Sequence, residues 1–99
     1  MIRHVVSWKL KATDAEGKSA AFTAIAEALG SLPHLIPEIR HLTIGQDLAA
    51  TEGNWDVTLI VDYNTQADLA AYQVHPAHLE AAQVVRANTT DRVTVDFEL

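Results

Sequence analysis

Apolar and polar residues alternate most cleanly between Trp55 and Tyr63, where Trp55, Val57, Leu59, Val61 and Tyr63 are interleaved with Asp56, Thr58 and Asp62. A period of two puts successive side chains on opposite faces of an extended chain, so the spacing predicts a strand over 55–63. Val93, Val95 and Phe97 alternate in the same way with Thr94 and Asp96 and predict a strand over 92–97. Residues 2–10, rich in Ile, Val and Trp, and residues 38–46, with Ile39, Leu42, Thr43 and Ile44, predict two more strands. The period changes in between. Phe22, Ile25, Ala26, Leu29 and Leu32 recur at intervals of three and four, which predicts an amphipathic helix over 14–31. Thr13-Asp14-Ala15-Glu16 has capping-box spacing at its start, while Gly30 and Pro33 stop it. The segment Pro33-His34-Leu35-Ile36-Pro37 predicts a rigid apolar loop, because each proline restricts itself and its predecessor.

A polar connection from Glu52 to Asp56 is expected to be solvated. Thr65 and Asp68 open a second helix whose inner side carries Leu69, Tyr72 and Ala70. Pro76, at a first-turn position that tolerates proline, restarts it. That piece runs to about Ala87, with Leu79, Ala82 and either Val84 or Val85 turned inward. The resulting order is β-α-β-β-α-β over a single domain, 1–99, an α+β ferredoxin-like arrangement with a four-stranded antiparallel sheet.

In such a sheet helices cover one face only, yet the strands are apolar on both. Ile2, Val6, Trp8 and Leu10 lie opposite Val5, while Val93, Val95, Phe97 and Leu99 lie opposite Thr94 and Asp96. A second cover is implied, and another copy of the sheet is the simplest one, closing a dimeric α+β barrel; a lipid or a different protein would serve the same face. Composition points the same way. Hydrophobic residues make up 48% of 99 residues. A chain of this size buries only roughly 60–65% of its unfolded surface, so excess apolar area needs a partner.

The net charge of −6 and the scattering of seven basic residues disfavour nucleic-acid binding. Without cysteine there is no disulfide framework, thiolate nucleophile or zinc–thiolate site. No apolar run reaches the ~20 residues of a membrane helix, and the start lacks a signal-peptide pattern, so a cytoplasmic location is expected.

Candidate chemistry concentrates in Tyr72-Gln73-Val74-His75-Pro76-Ala77-His78. Residues three apart on a helix are neighbours, so Tyr72, His75 and His78 are expected to point together. His4 interrupts the apolar face of the first strand and needs a partner if buried; Asp96, on the adjacent last strand, is the candidate. His78, with an ordinary pKa near 6.5, suits a general base, and Tyr72 suits a hydrogen-bond donor to a carbonyl. Each has a plain structural alternative as a cap or a core aromatic. His34 and His41 read as surface or interface residues. His4, His75, His78 and Asp96 are also residue types that bind zinc or iron, although i, i+3 is not the usual ligand pair. There is no Gly-rich nucleotide motif and no Gly-x-Ser-x-Gly elbow.

Several features together resemble the stress-responsive A/B barrel (Dabb) family over nearly the whole chain. They are Ile2-Arg3-His4-Val5-Val6, Leu35-Ile36-Pro37-Glu38-Ile39, Gly45, Trp55-Asp56, Tyr72-x-x-His75-Pro76-x-His78 and Arg92-Val93-x-Val95-Asp96-Phe97. The resemblance implies a homodimeric α+β barrel without an organic cofactor. One enzymatic branch of that family is similar to polyketide cyclases, in which the motif's tyrosine and final histidine, here Tyr72 and His78, close a ring by proton transfer. That branch also carries a histidine early in the third strand, where this chain has Val57.

Three readings follow. The first is a cofactor-free enzyme acting on a small apolar or aromatic carbonyl compound. Tyr72 and His78 would be catalytic, and His4, Trp8, Phe22, Val57, Leu59, His75, Thr94 and Asp96 would form the substrate site. The second is a non-catalytic stress-responsive or ligand-binding protein. The third is a cofactorless monooxygenase-like enzyme.

Overall fold

Strand β1 (Ile2–Leu10) is hydrogen-bonded along both edges, and everything else is arranged around it. The computed structural model describes residues 1–99, in the order β1, α1 (Ala15–Gly30), a single turn α2 (Leu32–Leu35), β2 (His41–Gln46), β3 (Val57–Tyr63), α3 (Gln66–Val74), α4 (Pro76–Asn88) and β4 (Thr89–Glu98). The sheet order is β2-β3-β1-β4 with every pair antiparallel, which is the ferredoxin-like βαββαβ topology. No helix is long and apolar enough to cross a membrane.

The alternation in the strands translates directly into burial. Ile2, His4, Val6, Trp8 and Leu10 of β1 and Val57, Leu59, Val61 and Tyr63 of β3 are buried beneath the helices. Ala21, Ile25 and Leu29 of α1, Leu69 and Tyr72 of α3, and Ala81 and Val85 of α4 close over them into one core. Each large apolar side chain so buried contributes about 1.5–3 kcal/mol.

Several local expectations are corrected. The capping box is not formed: α1 starts after Asp14, which makes no side-chain cap bond, and the position three residues further on is Gly17, with no side chain to reach back. The Pro33 segment is not a loop. Pro33 occupies the first turn of α2, where its missing N–H costs nothing, and Leu32 and Ile36 drop into the core. β2 begins at His41 because Pro37 and Glu38 form a turn. β3 begins at Val57, and Asp56 just before it is no solvated loop residue. Its carboxylate accepts the Leu10 backbone N–H at 2.8 Å and the Lys18 ammonium at 2.9 Å, tying the ends of β1 and β3 to α1. Leu79 is 51% exposed; the inward stripe of α4 passes through Ala81 and Val85 instead. Thr65 does cap α3, accepting from the Asp68 N–H at 3.1 Å.

The outer face of the sheet carries no helix. Val5 and Ile60 sit at its centre, and Val93, Val95 and Phe97 beside them are exposed. Asp62 is also on this face, nearly buried, and takes two hydrogen bonds from the Arg3 guanidinium at 2.8 and 2.9 Å. That contact holds its carboxyl below the usual range despite the opposing effect of desolvation.

Ile25 has no exposed surface and touches the centre of the core. We expect Ile25→Ala to lower the unfolding free energy by about 2–5 kcal/mol, read from urea denaturation followed by far-UV circular dichroism. A loss below ~1 kcal/mol would mean that the core does not converge on this side chain.

Candidate functional site

The site begins where the second helical stretch breaks. His75 ends α3 and caps α4 with an extended backbone (φ −65°, ψ 134°), and its Nδ1 accepts the Ala77 N–H at 3.0 Å. Pro76 then supplies the first helical residue. His75 therefore spends its imidazole on the helix start, and it does not join Tyr72 and His78 on a common face as the three-residue spacing suggests.

Tyr72 and His78 meet across this break. Their rings meet in a tilted contact, with centroids 4.3 Å apart and planes at 42°. His4, on β1, lies edge-on to Tyr72 at 6.2 Å, and the Tyr63 ring lies tilted against Tyr72 at 5.2 Å. His4 is buried, and its Nδ1 is paired with the Asp96 carboxylate directly opposite on β4. A carboxylate accepts, so Nδ1 carries the proton and Nε2 is left as the acceptor.

These side chains border a cavity of about 220 Å³ between sheet and helices. His4, Trp8, Leu59, Tyr72 and His78 line it, as the sequence leads one to expect, together with Val6, Leu29, Ala82 and Val85. Phe22 does not: α1 reaches the cavity through Leu29, and Phe22 packs against the core elsewhere. Val57 is buried in the core away from this lining, and His75 is engaged at the helix cap. Asp96 acts at one remove through His4, and borders a separate groove with Leu69 and Gln73. Thr94 faces the same side as Asp96, opposite Val6, but is not part of the cavity lining, and its buried hydroxyl has no hydrogen-bond partner.

Two lining residues escape the sequence reading, Arg86 and Arg92. Both were encoded in the periodicities already in use. Arg86 is eight residues beyond His78, two helical steps of four through Ala82, and Arg92 alternates with Thr94 and Asp96 on the helix-facing side of β4. A larger depression, about 440 Å³, lies beside the connection before β3, but its carboxylates are committed: Asp47 to Asn54 and Ala49, Asp56 to Leu10 and Lys18.

Electrostatics give the two central groups opposite and complementary states. Burial pushes the Tyr72 hydroxyl up to about 12, against smaller lowering influences from Tyr63 and Arg92, so it stays protonated. Burial lowers His78, assisted by the nearby His4, Arg92 and Arg86 and opposed by its bond to the Gln73 carbonyl, so it is neutral at pH 7. That bond, 3.2 Å from Nδ1, also fixes the tautomer: a carbonyl only accepts, so Nδ1 is protonated and Nε2 is basic. A neutral imidazole in ring contact with a protonated phenol is a base–acid pair. No group of three or more His, Asp or Glu side chains converges as a metal-binding cluster, because His75 is turned to the backbone.

Comparison with known proteins places this geometry. Residues 2–99 match the family described as the stress responsive A/B barrel domain, Dabb. No curated protein matches the chain. Among solved structures, a dimeric ferredoxin-like protein of unknown function from Bacteroides fragilis is 27% identical, with TM-score 0.86 over 99% of this chain and 95% of that one. A dimeric ferredoxin-like protein of unknown function from Thermobifida fusca is 29% identical, with TM-score 0.78 over 99% and 90%. A hydroxynitrile lyase from Passiflora edulis shares the fold at 19% identity, with TM-score 0.80 over 97% and 90%.

The depressed His78 value has a direct readout. In an NMR titration the His78 ring should titrate below the ordinary 6.5. The unfolded chain then binds the proton more readily, so this residue's contribution to stability is fully present above 6.5 and is lost as pH falls through the folded value. Titration of His78 at or above 6.5 would contradict its burial against Tyr72.

Proposed function

The chain belongs to the stress responsive A/B barrel family, and we propose that it is a cofactor-free enzyme that moves a proton at a carbon next to a carbonyl in a small apolar or aromatic compound. The observation that carries this reading is the contact of neutral His78 with protonated Tyr72 on one cavity.

The chemistry needs only side chains. The basic Nε2 of His78 takes the acidic C–H proton, the C–H electron pair becomes the enolate, and the developing oxyanion accepts a hydrogen bond from the Tyr72 hydroxyl. Return of the proton from His78 to another carbon completes an isomerisation; alternatively, the enolate carbon adds to a second carbonyl, and the resulting alkoxide takes the proton from the His78 imidazolium to complete a ring closure. Each proton-transfer group is worth roughly 10²–10⁴-fold. His4, paired with Asp96, sets the position of the Tyr72 edge, and Val57 leaves the third strand without a histidine. The apolar walls from Val6, Leu29, Leu59 and Val85 exclude water and strengthen these interactions.

Hydrogen–deuterium exchange tests it. With butyrophenone in D2O, wild-type protein should accelerate loss of the α-proton NMR signal over buffer, and Tyr72→Phe and His78→Gln should each lower that rate by about 10²-fold or more. The rate should rise with pH through a midpoint below 6.5, since the base must be neutral, and stay level well above pH 7. If both variants keep the wild-type rate with the fold intact, the cavity is a binding site without catalysis.

The working unit in this reading is a homodimer formed through the outer sheet face, where Val93, Val95 and Phe97 are exposed beside Val5 and Ile60. An interface of this kind buries upward of ~1,000 Å² in total. Light scattering at micromolar concentration should give twice the 10.8 kDa chain mass, and Val95→Asp should give the monomer. A monomeric wild type at that concentration would overturn this arrangement.

A further inference from the structure

The cavity has two chemically different ends. At one, His4, Tyr72 and His78 gather near the start of α4. At the other, Arg86 from the last turn of α4 and Arg92 from β4 stand beside Trp8, the residue paired with Arg92 across the sheet. His78 and Arg86 are eight residues apart, so their backbones are separated by about 12 Å along the helix. Helical side chains lean towards the helix N-terminus, which aims Arg86 back over Ala82.

The charge at this second end is unbalanced. The chain as a whole carries −6, with 13 acidic residues, yet the only formally charged residues lining the cavity are these two arginines. Neither forms an ion pair, whereas Arg3, Lys18 and His4 each have a carboxylate partner. Asp96, the carboxylate closest in role, is engaged by His4. Both arginines are solvent-exposed at the mouth, free to turn onto an anion entering the cavity, and in an acidic protein a neighbouring carboxylate is easily supplied by sequence. None is supplied here.

We propose that the cavity selects an anionic substrate: a small aromatic or aliphatic ketone bearing a carboxylate, with the carboxylate held by Arg86 and Arg92 and the carbonyl end presented to Tyr72 and His78. This rests on the preceding reading in taking the cavity as the substrate site and adds the class of compound. A carboxylate fits better than a phosphate. The guanidinium fork matches a planar carboxylate in two parallel bonds. Arg86 also stands in the C-terminal turn of α4, where helix carbonyls rather than amide N–H groups end, so no backbone cradle for a phosphate is at hand. The middle of the cavity, walled by Val6, Leu59, Ala82 and Val85, suits an apolar body, with the Trp8 indole as a flat surface at the anionic end. At about 220 Å³ it takes a compound well below the size of a nucleotide.

The two tryptophans, Trp8 and Trp55, allow a direct test in a Trp55→Phe background, where Trp8 is the single emitter. The probes are 3-benzoylpropanoate and its methyl ester, which share every atom of the ketone and differ in charge. The acid should quench Trp8 with a dissociation constant at least tenfold below that of the ester, and the preference should weaken with salt. Arg92→Gln or Arg86→Gln should cut the acid-to-ester preference severalfold, the double variant should reduce it to about one, and Arg92→Lys should retain part of it. Inorganic phosphate at millimolar concentration should compete poorly. Equal binding of acid and ester, no binding of either, an undiminished preference in the double variant, or competition by phosphate as strong as by the acid overturns the inference. The two proposals fail separately. Exchange of butyrophenone protons that depends on His78 and Tyr72, without an acid preference, sinks only this one. An arginine-dependent acid preference with no exchange on either ketone sinks only the catalytic reading.

Discussion

The register of β1 against its two neighbours is the constraint on which the rest of the structure depends. His4 lies opposite Val61 on one side and Asp96 on the other, and Trp8 lies opposite Val57 and Arg92. Side chains alternate along a strand, so a slip of one residue would turn His4, Val6 and Trp8 outward and press Arg3, Ser7 and Lys9 into the core. Burying those groups without partners costs far more than the sheet gains. The His4–Asp96 pair reinforces the choice, because a buried imidazole finds its carboxylate in this register alone. On the outer face the same register aligns Arg3 with Asp62, so both faces are locked by a polar contact.

The break at His75 and Pro76 does for the helices what register does for the sheet. In an unbroken helix, at about 100° per residue, Tyr72 and His78 would be some 120° apart around the axis and could not meet. Interrupting the helix at an extended His75 redirects the second piece and brings the two rings to 4.3 Å. Proline removes a donor that the new helix start would leave unsatisfied, and the His75 imidazole satisfies the next one. The residue that looks most like a third member of the catalytic set is thus the one that makes the geometry of the other two.

Burial then assigns the protonation states. Desolvation opposes charge on either group, which keeps a phenol protonated and an imidazole neutral. The nearby arginines push His78 in the same direction. A ligand anion between them would partly cancel that influence, so charge at the far end of the cavity and basicity at the near end are coupled across its apolar middle.

Periodicity by itself determined the four strands, both long helical stretches, the capping of α3 by Thr65 and the pairing of His4 with Asp96, because each follows from local spacing and from the need to satisfy a buried polar group. It also carried, unread, the two arginines, since Ala82 and Arg86 follow His78 at steps of four and Arg92 precedes Thr94 by two. Other features depended on three-dimensional context. The capping box at Thr13 failed because the helix starts one residue later and meets Gly17 where the box requires Glu. Pro33 became helical because Leu32 and Ile36 gain a core position by it. Phe22, Val57, His75, Thr94 and Asp96 fell outside the cavity lining because membership depends on which helix turn or strand end reaches the gap. A residue's type and spacing fix its face, but only the packed elements decide what that face meets.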